Sequence, residues 1–116
     1  MKNTGIMQRA AFSIAGWRRA VGTERSLRAH VALSLAVLLG MAFARPEIVW
    51  WAIMLLSIAV GWALELMNAA IERLCDHLHP QHHIVIGEVK DIASAAAFTV
   101  NMATGALAAV MFWTTT

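Results

Sequence analysis

The 116-residue chain is too apolar for an ordinary soluble domain, since 59% of its residues are hydrophobic and only 14% are charged. Soluble domains carry roughly a quarter charged residues, and a fold this small cannot hide so much apolar surface from water. The formal net charge is only +2, and no basic patch interleaved with aromatic residues argues for a nucleic-acid partner. We therefore expect one all-α domain over residues 1–116 that is integral to a membrane.

The first element is a basic amphipathic segment at residues 6–21. Apolar side chains recur there at helical spacing, from Ile6 through Ile14 and Trp17, while Arg18 and Arg19 fall mostly on other faces. Such a segment is typical of a helix that lies on a membrane surface. The alternative is a flanking tail, and we favour the surface helix.

Three uncharged runs follow, at residues 29–44, 48–64 and 92–116. A helix that spans a bilayer needs about 20 predominantly apolar residues. The third run satisfies this by itself. The first two satisfy it if their helices continue into the charged residues at their ends, because long charged side chains can reach the headgroups.

We predict transmembrane helices over residues 27–45, 47–77 and 88–114. Pro80 and Gly87 mark the break between the last two.

An alternative for the first run is a signal peptide, because the stretch "MAFA" before Arg45 resembles a cleavage site. A signal peptide normally opens with a short basic segment, whereas 28 residues precede this run. We favour a retained span.

The distribution of Lys and Arg predicts the topology. Six of the nine precede the first run: Lys2, Arg9, Arg18, Arg19, Arg25 and Arg28. The positive-inside rule then places the N-terminus of this multi-pass protein in the cytoplasm. Three spans put residues 65–90 on the cytoplasmic side. The small residues at 93–97 favour close helix packing, and three spans form a thin bundle, so we expect an oligomer.

The stretch "ELMNAAIERLCD", residues 65–76, places four polar groups on one helix face. At about 100° per residue, Glu65, Asn68, Glu72 and Asp76 fall within an arc of roughly 80°. Three acids on one face repel each other unless a cation, a proton or a basic partner joins them. This spacing indicates a binding or catalytic face.

Other polar residues reach the same membrane depth: Glu24 precedes the first span, and Lys90 and Asp91 open the third. Carboxylates suit Mg²⁺, which takes one or two of them together with phosphate oxygens, and a further carboxylate can act as a base. From the residues alone we predict metal-assisted chemistry or ion handling at the inner leaflet. The alternatives are a solvated acidic collar and a proton-coupled transporter or ion-conducting oligomer.

Two other polar groups receive simpler interpretations. The histidines at residues 77–83 and Cys75 lack the H-E-x-x-H arrangement, so we do not favour a zinc site. Asn101 and Thr104, inside the third run, are interpreted as interhelical hydrogen-bonding groups.

Three separated segments, "TERSLRAH", "ELMNAAIERLCD" and "EVKDIASAAA", resemble motifs of the prokaryotic-type diacylglycerol kinase and undecaprenol kinase family in order and spacing. The resemblance implies a homotrimeric bundle with a surface helix and three transmembrane helices per chain, and active sites between subunits. It implies a lipid kinase that uses ATP and Mg²⁺. The expected reaction, part of phospholipid biosynthesis, converts diacylglycerol to phosphatidic acid; the alternative is undecaprenol kinase, which makes undecaprenyl phosphate.

The resemblance also assigns roles to residues of this chain. Glu65 would be the catalytic base and Asn68 would orient the site, while Glu24 and Glu72 would hold Mg²⁺. The residues expected to bind or position the nucleotide are Glu24, Arg28, Asp76, His83, Lys90, Asp91 and Ser94.

Overall fold

The computed structural model describes residues 5–116 as four α-helices, and residues 1–4, including Lys2, lie outside that description. The helices are α1 (Ile6–Thr23), α2 (Arg25–Ala44), α3 (Ile48–Leu78) and α4 (Ile84–Thr115). No strand occurs over the described range. The all-α fold class is confirmed, with one amphipathic helix followed by three long apolar ones.

The observed helix ends differ from the expected ones at two places. α4 begins at Ile84 instead of near residue 88, because the Nδ1 atom of His83 accepts a hydrogen bond from the backbone N–H of Val85 at 3.1 Å. This bond satisfies one of the free N–H groups at the helix start. With the helix starting at Ile84, Gly87 lies inside its first turn. α1 continues through Thr23, two residues past the expected end of the surface helix, and the bend to α2 falls at Glu24.

Helices α2, α3 and α4 are long and apolar enough to cross a membrane, with mean hydropathies of 1.8, 1.8 and 1.6. At about 1.5 Å per residue, the 20 residues of α2 match a hydrocarbon layer of about 30 Å. The 31 residues of α3 and the 32 of α4 are half as long again. Their excess length carries residues 65–76 and the start of α4 to or beyond one membrane boundary.

The core of the bundle lies between α2, α3 and α4. Met41, Met54 and Met111 are fully buried, and Ile58 packs with them. Outside this core little is covered: in the most apolar windows of the three spans, only 17%, 22% and 11% of residues are buried. The remaining apolar faces are therefore left for lipid or for further copies of the chain.

Met54→Ala is expected to destabilise the protein by about 2–5 kcal/mol, because it leaves a cavity among tightly packed neighbours. The matched control is Met67→Ala on the same helix, whose side chain is 58% exposed. The free energy of unfolding, measured by titration of micelles with a denaturing detergent, is the readout. Equal losses for the two variants would contradict the described core.

Helix α1 packs against α3 at the end of the bundle where α2 begins. The rings of Trp17 and Trp62 meet edge to face, with centroids 5.5 Å apart. A guanidinium N–H of Arg28 donates a hydrogen bond to the carbonyl oxygen of Val21 at 2.8 Å, which closes the end of α1 against α2. These contacts place α1 beside the polar end of α3.

Candidate active site

Three helices converge on the carboxylate of Glu65, which is only 9% exposed. The amide nitrogen of Asn101, on α4, donates a hydrogen bond to Oε1 at 3.0 Å. The hydroxyl of Ser26, on α2, donates a longer one of 3.4 Å to Oε2. Each carboxylate oxygen has a further lone pair free. Glu65 is therefore held from two sides and remains able to accept a proton from a third group.

The next turns of α3 carry the other members of the predicted face. Asn68 is half-buried, and its Oδ1 atom is buried without a hydrogen-bond partner among the described residues. Glu72 is also half-buried, whereas Asp76 is exposed. Burial thus decreases from Glu65 towards the end of α3, as expected for a face that passes from the apolar layer into water.

Glu24 lies at the start of α2 and reaches across to α3. Its Oε1 atom lies 3.9 Å from the Nε atom of Arg73, which also donates a hydrogen bond to the hydroxyl of Thr23. The side chain of Glu24 is 24% exposed and that of Arg73 is 42% exposed, so this pair contributes under about 1 kcal/mol to stability. Because Arg73 directly follows Glu72 in the sequence, this contact brings Glu24 to the part of α3 that carries Glu72.

The acids do not form a complete metal cage. Across residues 5–116, no three His, Cys, Asp or Glu side chains lie close enough to hold one ion together. A magnesium ion at this end of the molecule would take one or two carboxylates from one chain. Mg²⁺ usually completes its octahedral shell with water and substrate phosphates, so carboxylates such as Glu24 and Glu72 fit that pattern.

Three of the predicted residues, Asp76, His83 and Lys90, surround the loop between α3 and α4. The Nζ atom of Lys90 lies 2.5 Å from an oxygen of Asp76. Both line an open polar cavity of about 290 Å³, together with His79 and His83. Asp91 and Ser94 are exposed on α4 and do not line it. Arg28 is engaged with α1, as described above.

A second cavity, of about 430 Å³, lies between α2, α3 and α4 beside Glu65. Ser26, His30, Glu65 and Asn101 line one end of it, and Ser34 and Thr104 add hydroxyl groups farther along. The rest of its wall is mainly aliphatic: Ala29, Leu33, Val37, Ile58 and Ala108 contribute to it. An apolar cavity that ends at a buried carboxylate can accept a hydrocarbon chain with a polar head.

Several residues at the site were not assigned to it from the sequence. Ser26 and Gly61 were missed, while Asn101 was interpreted only as an interhelical group. The sequence offered two signals. Asn101 is an amide within an uncharged run, and Gly61 lies four residues before Glu65 on the same helix face. Neither shows by itself which side chain of another helix it meets.

Comparison with known proteins gives a consistent result. Residues 11–112 match the family model of the prokaryotic diacylglycerol kinases. The chain is 36% identical to the undecaprenol kinase of Bacillus subtilis over 74 residues, which is 64% of this chain and 60% of that protein. It is 28% identical to the diacylglycerol kinase of Haemophilus influenzae over 99 residues, covering 82% and 80% of the two chains. It is 30% identical to the diacylglycerol kinase of Escherichia coli K12 over 94 residues, which cover 80% of this chain and 76% of that protein.

The spans and these similarities define a membrane-embedded lipid kinase of the diacylglycerol kinase type. The chain belongs to the prokaryotic diacylglycerol kinase family. The expected enzyme class is thereby confirmed, and the transporter alternative is not favoured. The match to the undecaprenol kinase covers less than two thirds of that relative's length.

Proposed function

We propose that the protein transfers the γ-phosphoryl group of ATP to the hydroxyl of diacylglycerol at the cytoplasmic leaflet, giving phosphatidic acid. The observation that carries this proposal is the Glu65 carboxylate, buried in the wall of an apolar cavity at one end of the bundle. A carboxylate there can meet the head of a lipid whose chains stay in the hydrocarbon layer. Two relatives named as diacylglycerol kinases match about four fifths of this chain, which supports the choice of acceptor.

In the proposed reaction, Glu65 takes the proton of the acceptor hydroxyl as the alcohol oxygen attacks the γ-phosphorus. The new phosphorus–oxygen bond forms in line with the bond to the leaving ADP oxygen, which breaks. The products are the lipid phosphate, ADP and a proton that Glu65 later releases. The carboxylate that takes this proton accepts hydrogen bonds from Ser26 and Asn101.

Glu24 and Glu72 are proposed to hold Mg²⁺, and Asn68 to orient the site. When bound, the ion neutralises part of the charge on the phosphates. Mg²⁺ usually takes one or two carboxylates and completes its shell with water and substrate phosphates, so two acidic ligands from the chain fit this ion. The unpartnered and buried Oδ1 atom of Asn68 is an acceptor available to a donor that arrives with the substrates.

The nucleotide is proposed to bind near the polar cavity at the loop between α3 and α4. Lys90 supplies a cation there, and His83 and Asp76 provide further polar atoms. Arg28, Asp91 and Ser94 are kept as proposed nucleotide contacts from the family resemblance.

Lys90→Met is expected to raise KM for MgATP by about 10- to 100-fold, because it removes a charge-assisted hydrogen bond to a phosphate. The ion pair with Asp76 is screened by solvent, so the stability of the fold should change little. Steady-state kinetics with MgATP varied at saturating lipid measure the effect. An unchanged KM would show that Lys90 does not contact the nucleotide.

We also propose that the chain is a homotrimer in the bacterial inner membrane, with its N-terminus in the cytoplasm. The exposed apolar faces of the spans support assembly, and the Lys and Arg residues before the first span support this orientation. Active sites between subunits would allow a neighbouring chain to add ligands to each one.

The acceptor can be tested directly by incubating purified protein in mixed micelles with γ-labelled ATP and either diacylglycerol or undecaprenol. We expect labelled phosphatidic acid to form faster than labelled undecaprenyl phosphate. Undecaprenol is the second candidate, supported by the 36% identity to an undecaprenol kinase. Faster labelling of undecaprenol would reverse the choice, and no labelling of either alcohol would contradict the lipid-kinase proposal.

A further inference from the structure

Asn101 provides the closest hydrogen bond to the Glu65 carboxylate. Its Nδ2 atom lies 3.0 Å from Oε1, whereas the hydroxyl of Ser26 lies 3.4 Å from Oε2, near the limit of a hydrogen bond. Asn101 lies outside the three motif segments of the sequence analysis, although it is within residues 11–112, which match the family model. The residue that most directly orients Glu65 is therefore one for which the motifs give no role.

Gly61 permits this contact. It lies one turn before Glu65 on α3, and a Cβ atom placed on it would be 2.9 Å from the Oδ1 atom of Asn101 and 2.9 Å from the Nε2 atom of His30. Because real Cβ atoms do not come that close to other heavy atoms, any side chain at residue 61 would displace the amide. The missing side chain lets α4 deliver Asn101 to the carboxylate.

The two ends of the Asn101 amide are used unequally. Its nitrogen donates to Glu65, but its Oδ1 atom is buried and has no hydrogen-bond partner among the described residues. Reversing the amide would set its oxygen against a carboxylate oxygen, so the carboxylate determines the orientation. A buried unpaired carbonyl is costly. The amide thus donates to Glu65 through Nδ2, while its Oδ1 atom stays unpaired among the described residues.

A packing role for Asn101 is already filled by its neighbours. The hydroxyls of Ser57 on α3 and Thr104 on α4 hydrogen-bond to each other, one turn farther along α4. Thr104 also donates to the carbonyl oxygen of Val100, so this pair is satisfied on both helices. The helices are therefore joined without Asn101.

We propose that Asn101 is a positioning residue for catalysis: it holds the Glu65 carboxylate so that the free lone pairs face the hydroxyl of the acceptor lipid in the adjoining cavity. This inference rests on the proposed role of Glu65 as the base. Gly61 takes part by leaving the space in which the amide lies.

The test compares Asn101→Leu, which keeps the size of the side chain, with Thr99→Val as a matched polar-to-apolar control. Thr99 lies on the same helix, is exposed and donates a hydrogen bond to the carbonyl oxygen of Ala95 in its own helix. Misplacement of a catalytic group by about 1 Å costs roughly 100-fold, so we expect Asn101→Leu to lower kcat about 10- to 100-fold. KM for MgATP should stay within about twofold of wild type, and Thr99→Val should keep wild-type kcat. Asn101→Gln, which keeps the donor, should retain more activity than Asn101→Leu.

A double-mutant cycle separates positioning from a structural effect. Glu65→Asp shortens the carboxylate beyond the reach of the amide, so adding Asn101→Leu to it should lower kcat by less than about twofold. The same loss in both backgrounds, or wild-type kcat in Asn101→Leu, would overturn the inference.

If Asn101→Leu does not fold, Gly61→Ala displaces the amide instead. A folded Gly61→Ala protein with wild-type kcat also contradicts the inference. Failure of the proposed function is distinct, because the wild-type protein would then label no lipid alcohol.

Discussion

Glu65→Gln is expected to lower kcat for lipid phosphorylation by about 100- to 10,000-fold, the range that a general base contributes. Glutamine keeps the size of the side chain but accepts no proton at neutral pH. KM for MgATP should remain within about threefold, since the nucleotide is proposed to bind elsewhere along the face. Steady-state rates with lipid and MgATP varied separately would measure both effects.

The matched control is Glu47→Gln. Glu47 immediately precedes the opposite end of α3 and is exposed, so it carries the same charge at the far side of the bundle. It should keep wild-type kcat. Normal turnover by the Glu65→Gln enzyme would show that the buried carboxylate is not the base, whatever the behaviour of the control.

Glu72→Gln and Glu24→Gln are each expected to raise the Mg²⁺ concentration needed for half-maximal activity, by about 10- to 100-fold. Loss even of an outer-shell partner of a metal costs that much, and a direct ligand should cost no less. The described residues offer no group of three candidate ligands, so each of the two proposed carboxylates would carry a large share of the Mg²⁺ binding. Titrations with Mg²⁺ at fixed ATP, corrected for free nucleotide, give the readout.

Glu88→Gln is the control for these two variants. Glu88 lies at the same end of the bundle and is exposed, but it has no proposed role. Glu88→Gln removes one negative charge, as do Glu72→Gln and Glu24→Gln. Any change in Mg²⁺ requirement that comes only from the net charge should therefore appear in all three variants. An equal shift in all three variants would point to a diffuse electrostatic effect in place of a bound ion.

The acidic face and the spans were predictable because both depend on local periodicity. A run of uncharged residues must be shielded from water wherever it lies, so the number of apolar helices followed from the sequence. The spacing of Glu65, Asn68 and Glu72 places them on one side of any helix. Neither property requires knowledge of what the other helices do.

The start of α4 was less predictable. Gly87 was interpreted as the end of the loop, but glycine tolerates helical backbone as well as turns. The helix begins earlier because the side chain of His83 caps it. Capping by histidine depends on the ring rotamer and tautomer, which residue type alone does not reveal.

The sequence by itself determined the membrane class, the three apolar helices, the polar face of α3 and the family. The tertiary structure alone decided which groups meet that face: Glu24 beside Arg73, and Ser26 and Asn101 on Glu65. The physical reason is that these contacts join different helices. Each depends on how far one helix is rotated and shifted against another, and periodicity along a single helix carries no information about that.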